Sequence, residues 1–304
     1  MILKGIGQAA DSPVTGTAAW LASACAVLGK EPPFARLLND PYAIRFAEAI
    51  SPEAPGLLRA YDDAETRRAF IDRCERELPG CLTMTCYRKP ELERLARDAL
   101  AAAGASQLVA LGVGCDTLSL RLSRAGLRPR TFEVDRPEVV AFRSRVMERL
   151  APDLGADIGH IREIGVDFDR QSFKERLVAA GYDPAAPTVV FAEGLLGYLQ
   201  PHAVDEIFRF VAQDCGQPSR FVFSFTEGRR AGLAVRAPNS AALDAQGEPP
   251  VFDLTAAEAP AFIESRGLQV KTLITAAELA EAYRSRCDGR IRVLPYLHIA
   301  VAGT

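Results

Sequence analysis

Acidic side chains recur in this chain where short apolar runs end. Val109–Leu111 leads into Gly112-Val-Gly114-Cys-Asp116, and Thr131-Phe-Glu-Val leads into Asp135. Ile161–Val166 leads into Asp167-Phe168-Asp169, and Thr188–Ala192 into Glu193-Gly-Leu-Leu-Gly-Tyr198-Leu. Glycines at a strand end let the backbone come close to a ligand, and a carboxylate after the next strand suits the paired hydroxyls of a ribose. Asp135 can accept both hydroxyls, and Asp167 can accept the exocyclic amine of adenine while Phe168 packs on the ring. Glu193 can pair with an ammonium or orient its own loop. The competing reading of each acid is a helix N-cap, because each strand end precedes a helical run. Asp169, directly before a predicted helix over 171–180, fits that reading better; Asp135 fits the ligand reading better. The glycine pair by itself also fits ordinary turn chemistry.

A dinucleotide fingerprint needs a further glycine where this chain has Thr117. That glycine allows close helix–strand packing beside a pyrophosphate. Its absence points to a nucleoside ligand without one, and S-adenosylmethionine is the commonest such cofactor.

These residues need elements to hold them. The first hundred residues read as helical: Ala18–Leu28 is a small-residue apolar run, and Asn39-Asp40-Pro41 opens a helix through Ile50 with Asn39 or Asp40 as its cap. Leu92, Leu95, Ala96, Ala99 and Leu100 form one helical stripe that Gly104 ends. From there strands alternate with helices. Strands are predicted at 108–112, 131–134, 161–166, 188–192 and 220–225, and helices at 116–125, 137–150, 171–180 and 201–215. That rhythm implies a parallel sheet covered on both faces. Residues 228–250 are rich in Gly, Pro and Ala and are long for a loop. Capping boxes at Thr255–Glu258 and Thr275–Glu278 open two further helices, with strands predicted at 268–274 and 290–301.

The chain has 304 residues, 48% of them hydrophobic, which suffices for a large core. A net charge of −3 leaves no electrostatic footprint for nucleic acid. Seven cysteines, odd in number and without a C-x-x-C pair, read as free thiols in a reducing cytoplasm. Three histidines, His160, His202 and His298, make a zinc site improbable, so no metal is expected. Thr17–Leu28 is too short to span a bilayer, and with Asp11 before it and no basic run it does not read as a secretory leader.

The ordered set GVGCDTLSLRL (112–122), FEVD (132–135), VDFD (166–169) and EGLLGYL (193–199) resembles the leucine carboxyl methyltransferase family, a branch of the class I S-adenosylmethionine-dependent methyltransferases. The family includes protein phosphatase carboxyl methyltransferases and many bacterial O-methyltransferases, some from polyketide pathways. The likeness extends from Thr17-Ala18 and Asn39–Tyr42 to Pro250–Asp253. It implies an α/β fold with a Rossmann-like seven-stranded sheet whose last strand is antiparallel. A helical cap over 1–103 would pack on a core over 104–304, with 228–250 as a substrate-side loop. In that family Gly112 and Gly114 would wrap the methionyl part of the cofactor, and Asp135 would bind ribose. Asp167 and Phe168 would bracket adenine, and Glu193 would sit beside the methionyl end. An arginine, usually in an Arg-Thr pair, holds the cofactor carboxylate; Arg88 is the candidate here, followed by Lys89 instead of threonine. The arginine that usually follows the Asp-Thr pair is replaced by Leu118.

The resemblance implies methyl transfer to a carboxylate or hydroxyl of a small molecule, a polyketide or other natural product. Protein C-terminal carboxyl methylation is the alternative within the family. A nicotinamide-dependent oxidoreductase and a non-catalytic S-adenosylmethionine-binding protein are the alternatives outside it. No catalytic base is assigned: a carboxylate acceptor is ionised at neutral pH, whereas a phenol, with a pKa of about 10, gains from a base. His202 reads as surface and His298 as packing. Tyr198 and Arg229 are expected to face substrate, and Arg229, Arg230 and Arg236 to meet an anionic group on it. The oligomeric state is left open.

Overall fold

The structure is a computed structural model that describes residues 16–32, 34–50, 60–77, 79–154, 158–168, 170–227, 251–287 and 292–304. Asp169, Arg229, Arg230, Arg236 and the 228–250 segment lie outside the described residues. In chain order the elements are α1 (Gly16–Leu28), α2 (Ala35–Leu38), α3 (Ala43–Ile50), α4 (Ala64–Glu77), α5 (Thr85–Ala103) and β1 (Gln107–Leu111). Next come α6 (Leu118–Arg124), β2 (Arg130–Asp135), α7 (Pro137–Leu154), β3 (Ile161–Gly165), α8 (Phe173–Ala179) and β4 (Pro187–Ala192). The chain continues through α9 (Pro201–Arg209), β5 (Gly216–Thr226), α10 (Ala259–Glu264), β6 (Gln269–Ile274), α11 (Ala276–Arg284) and β7 (Leu297–Gly303).

The seven strands form one sheet in the order β3-β2-β1-β4-β5-β7-β6. β1 to β5 are parallel, and β7 runs antiparallel between β5 and β6. The inner strands β1, β4 and β7 read as near-continuous apolar runs because both faces of the sheet are covered there, whereas the edge strands β3 and β6 are mixed and partly exposed. On one face Leu108, Val189, Phe191 and Val222 pack against α1, α5 and α11; on the other Val109, Leu111, Val190 and Phe221 pack against α8, α9 and α10. The stripe Leu92, Leu95, Ala96, Ala99 and Leu100 is the buried side of α5, and Gly104 ends that helix in a left-handed conformation at φ 56°. A third cluster joins Ala19 and Ala22 of α1 and Phe46 and Ile50 of α3 to Phe142 and Val146 of α7.

Three expectations shift in detail. The predicted strand over 290–301 begins only at Leu297, because Pro295 and Tyr296 form a turn before it. The helix from Asn39-Asp40-Pro41 begins at Ala43, with Asp40 Oδ1 accepting from Tyr42 N at 3.0 Å and Ala43 N at 3.1 Å. The helix predicted over 201–215 is α-helical to Arg209 and closes in a wider π turn over Phe210–Asp214.

Candidate functional site

Strand register places the chemistry. Leu111 is level with Val134 of β2 and with Ala192 of β4, and Asp135 is level with Gly165 of β3. The residues that follow each strand therefore emerge along one edge of the sheet. Strand order reverses between β1 and β4, and open α/β sheets bind ligands in the crevice at such a point. A cavity of about 490 Å³ lies there, in the usual size range for small-molecule sites. Gly112, Gly114, Asp135, Asp167, Phe168, Glu193 and Tyr198 all line it. Thr17, Ala18, Leu21, Ala22 and Cys25 of α1 form another wall. Tyr198 is 37% exposed at its rim.

The glycine loop is held in shape from several sides. Gly112 and Gly114 have φ of 60° and 50°, a region that side chains disfavour. A Cβ on Gly112 would lie 2.5 Å from Leu195 Cδ1, and one on Gly114 would lie 3.2 Å from Ala18 Cβ. Gly114 N donates to Asp135 Oδ2 at 2.6 Å, and Arg136 N donates to Asp135 Oδ1 at 2.7 Å. Each carboxylate oxygen accepts more than one bond, so capacity for two hydroxyls remains. Burial raises the Asp135 carboxyl above its ordinary value, against these two backbone donors. Arg143 of α7, fully buried, donates from one amino group to the carbonyls of Gly114 and Asp116, each at 2.8 Å. Its other amino group meets Glu133 Oε2 at 2.7 Å. Glu133 also accepts from Ser119 Oγ. In FEVD the first acid is therefore a structural counter-ion, while Asp135 is the acid at the strand end.

A second network crosses the crevice. Arg88 donates from Nε to Glu193 Oε1 at 2.9 Å, with a further nitrogen 2.8 Å from the same oxygen. Lys89 Nζ lies 3.3 Å from Glu193 Oε2 and 3.2 Å from Asp116 Oδ1, so it joins the ends of β4 and β1. Arg121 of α6 contacts Asp116 Oδ1 at 3.2 Å, Asp40 Oδ2 at 3.3 Å and Glu93 Oε2 at 2.7 Å. Asp40 Oδ2 also accepts from Thr117 Oγ1 at 2.6 Å. Burial opposes ionisation of Asp116, but Lys89 and Arg121 outweigh it and hold the carboxyl well below the usual range. Burial likewise opposes the Lys89 charge, and Asp116 and Glu193 outweigh it, so its pKa is raised.

Sequence reasoning placed seven cofactor candidates; six line the cavity, and Arg88 stands behind Glu193 instead. It read Asp40 only as a helix cap, and assigned no role to Glu133, Arg121 or Arg143. Arg121 lies inside the quoted motif beside Asp116, but its other two partners, Asp40 at the cap of α3 and Glu93 of α5, are far away in sequence. His202 is exposed. His298 is buried, with Nδ1 accepting from Ala276 N at 3.2 Å and Nε2 3.3 Å from Glu227 Oε1; neither histidine lines the cavity. Among the described residues no acid, cysteine and histidine cluster could hold a metal ion, and no helix is long and apolar enough to cross a membrane.

Known proteins resemble this chain in sequence and in fold. Relatives named as S-adenosyl-L-methionine-dependent methyltransferases include one from Mycobacterium ulcerans, 32% identical over 220 residues, covering 71% of this chain and 64% of that protein. Another, from Mycobacterium marinum, is 33% identical over 212 residues, with 68% and 61% covered. The chain thus spans roughly three-fifths of the length of the curated relatives it matches. Among solved structures, a DUF574 family protein from Streptomyces avermitilis superposes with a TM-score of 0.54 at 18% identity, covering 79% of this chain and 90% of that one. A Thermobifida fusca protein named as a methyltransferase gives the same score and identity, with 82% and 92% covered. These two likenesses speak to the fold. The leucine carboxyl methyltransferase family model matches residues 15–212, which contain the glycine loop and all four acid-bearing strand ends, and the chain belongs to that family.

Proposed function

We propose that this chain is an S-adenosyl-L-methionine-dependent methyltransferase acting on a carboxylate or hydroxyl oxygen of a small molecule, in the manner of natural-product O-methyltransferases. The observation that carries this reading is the convergence of Gly112, Gly114, Asp135, Asp167, Phe168 and Glu193 on one cavity at the sheet's reversal point. The donor set fits the cofactor: a strand-end carboxylate for ribose, an acid and an aromatic ring for adenine, and acids with a lysine for the amino-acid end. When bound, the cofactor supplies a methyl group on a sulfonium, open to in-line displacement.

The chain's own residues then bind, orient and insulate. Asp135 accepts the ribose hydroxyls, and Asp167 with Phe168 holds the base. The Asp116 and Glu193 carboxylates lower the energy of a nearby cation. Leu21, Ala22, Val139 and Leu195 line the cavity with apolar surface and exclude water. Burial pushes the Cys25 and Cys115 thiols up to about 12, so neither cavity cysteine competes as a thiolate for the methyl group. A carboxylate acceptor needs no base, in keeping with the position of all three histidines off the cavity. Tyr198 at the rim and the N-terminal helices form the substrate side in this reading.

Calorimetry tests the proposal. Expected is binding of S-adenosylhomocysteine without binding of NAD, and a loss of about 1–3 kcal/mol in the folded Asp135→Ala variant. Turnover against a panel of carboxylic acids and phenols then identifies the acceptor. NAD binding in place of S-adenosylhomocysteine, or unchanged affinity in Asp135→Ala, overturns the reading.

A further inference from the structure

Arg143 of α7 is wholly buried, and its guanidinium faces three ways. Nη1 donates to the Gly114 and Asp116 carbonyls at 2.8 Å each, and Nη2 donates to Glu133 Oε2 at 2.7 Å. Nε lies 3.6 Å from Glu163 Oε1, while the other oxygen of Glu163 accepts from Ser144 Oγ at 2.6 Å. The Phe46 ring centroid is 5.2 Å from the guanidinium carbon. Two acids and a ring thus set the plane of the fork before it reaches the loop. Stability alone does not call for this charge, because replacing a buried ion pair by apolar side chains of similar volume is often neutral or stabilising. What the fork supplies is direction. Gly114 has no Cβ to restrain it, and its φ of 50° is one of many conformations open to a glycine. Arg143 holds its carbonyl, and its N–H donates to Asp135 Oδ2 at 2.6 Å.

Resting on the cofactor reading above, we infer that Arg143 is a positioning residue for cofactor binding: it holds Gly114 so that the Gly114 amide aims the Asp135 carboxylate at the ribose hydroxyls. Arg143 is not among the residues lining the cavity, so it acts through the loop. Its second grip, on the Asp116 carbonyl, fixes the far end of the same loop, where Thr117 N donates to Asp116 Oδ1 at 2.6 Å. One side chain therefore spans both ends of Gly114–Asp116. With Arg136 N on its other oxygen at 2.7 Å, Asp135 is left one orientation. A carboxylate already held in place loses less freedom when it meets two hydroxyls, and that saving appears as affinity.

A double-mutant cycle on ligand affinity separates positioning from support of the fold. Arg143→Lys keeps a charge opposite Glu133 and Glu163 but removes the rigid fork. By calorimetry it is expected to weaken S-adenosylhomocysteine binding about 5- to 10-fold, the scale of one or two hydrogen bonds, in a chain whose melting curve shows it folded. In the Asp135→Ala background the same substitution is expected to cost less than about threefold, since the acid that it aims is gone. A purely structural role costs the same factor in both backgrounds. Should Arg143→Lys fail to fold, Arg143→Met with Glu133→Gln removes one charge of each sign and carries the same comparison. An equal loss in both backgrounds, or no loss in either, overturns the assignment and leaves the cofactor reading standing. A wild-type chain that does not bind S-adenosylhomocysteine overturns the two together.

Discussion

At the scale of single residues, the site depends on backbone that accepts no side chain. Gly112 combines a φ of 60° with Leu195 seated over it. Gly112→Ala is expected to destabilise the chain by about 2–4 kcal/mol, from left-handed strain and displacement of Leu195. In the Leu195→Ala background the cost of Gly112→Ala is expected to fall by about 1 kcal/mol, since the clash is relieved and the backbone strain is not. Urea unfolding of the double-mutant cycle measures this; an unchanged cost in both backgrounds refutes the packing account. Arg143 is the counterpart on the other side of the loop, its charge answered by Glu133 and its donors by two loop carbonyls.

Among elements, two helix caps do unequal work. Thr275 and Glu278 make a reciprocal capping box at α11 on an exposed surface. Asp40 caps α3 with one oxygen and ties it to Thr117 and Arg121 of the core with the other. Thr275→Ala is expected to cost about 0.5–2 kcal/mol, the usual value of a cap. Asp40→Ala is expected to cost about 2–4 kcal/mol, because charged, buried bonds are lost with the cap. Chemical denaturation compares them; equal costs reject the role of Asp40 as the tie between α3 and the glycine loop.

Across the whole molecule, buried charge sets the acid limit. Asp116, Glu91 and Glu93 are held below their ordinary values because cationic partners outweigh burial. A depressed folded-state pKa contributes stability that is present above the unfolded value, about 4, and is lost as pH falls through the folded one. Asp135 and Glu163, raised by burial, act the other way and offset part of the loss just above that window. Asp116→Asn is therefore expected to be less stable than wild type near neutrality, with the gap closing below about pH 4. Melting temperatures of both chains from neutral to acid pH check this. A gap that stays constant down to about pH 3 contradicts it.

Much of this protein is legible in its sequence, because each local signal agrees with the global fold. Apolar runs ending in Gly112–Asp116, Asp135, Asp167 and Glu193 locate the strands and their acidic ends. The stripe from Leu92 to Leu100 and the stop at Gly104 locate α5. What periodicity cannot supply is which charges meet. Arg88 and Lys89 are neighbours in sequence, yet one turns to Glu193 and the other spans Glu193 and Asp116 at the cavity wall. Besides Asp116, Arg121 finds partners at the cap of α3 and on α5, and Arg143 selects Glu133 over the acid two residues along. Side-chain type and spacing specify which face of an element is buried. The pairing of buried charges is decided only when sheet order and register bring distant elements within a few ångströms, where desolvation forces every charge to find a partner.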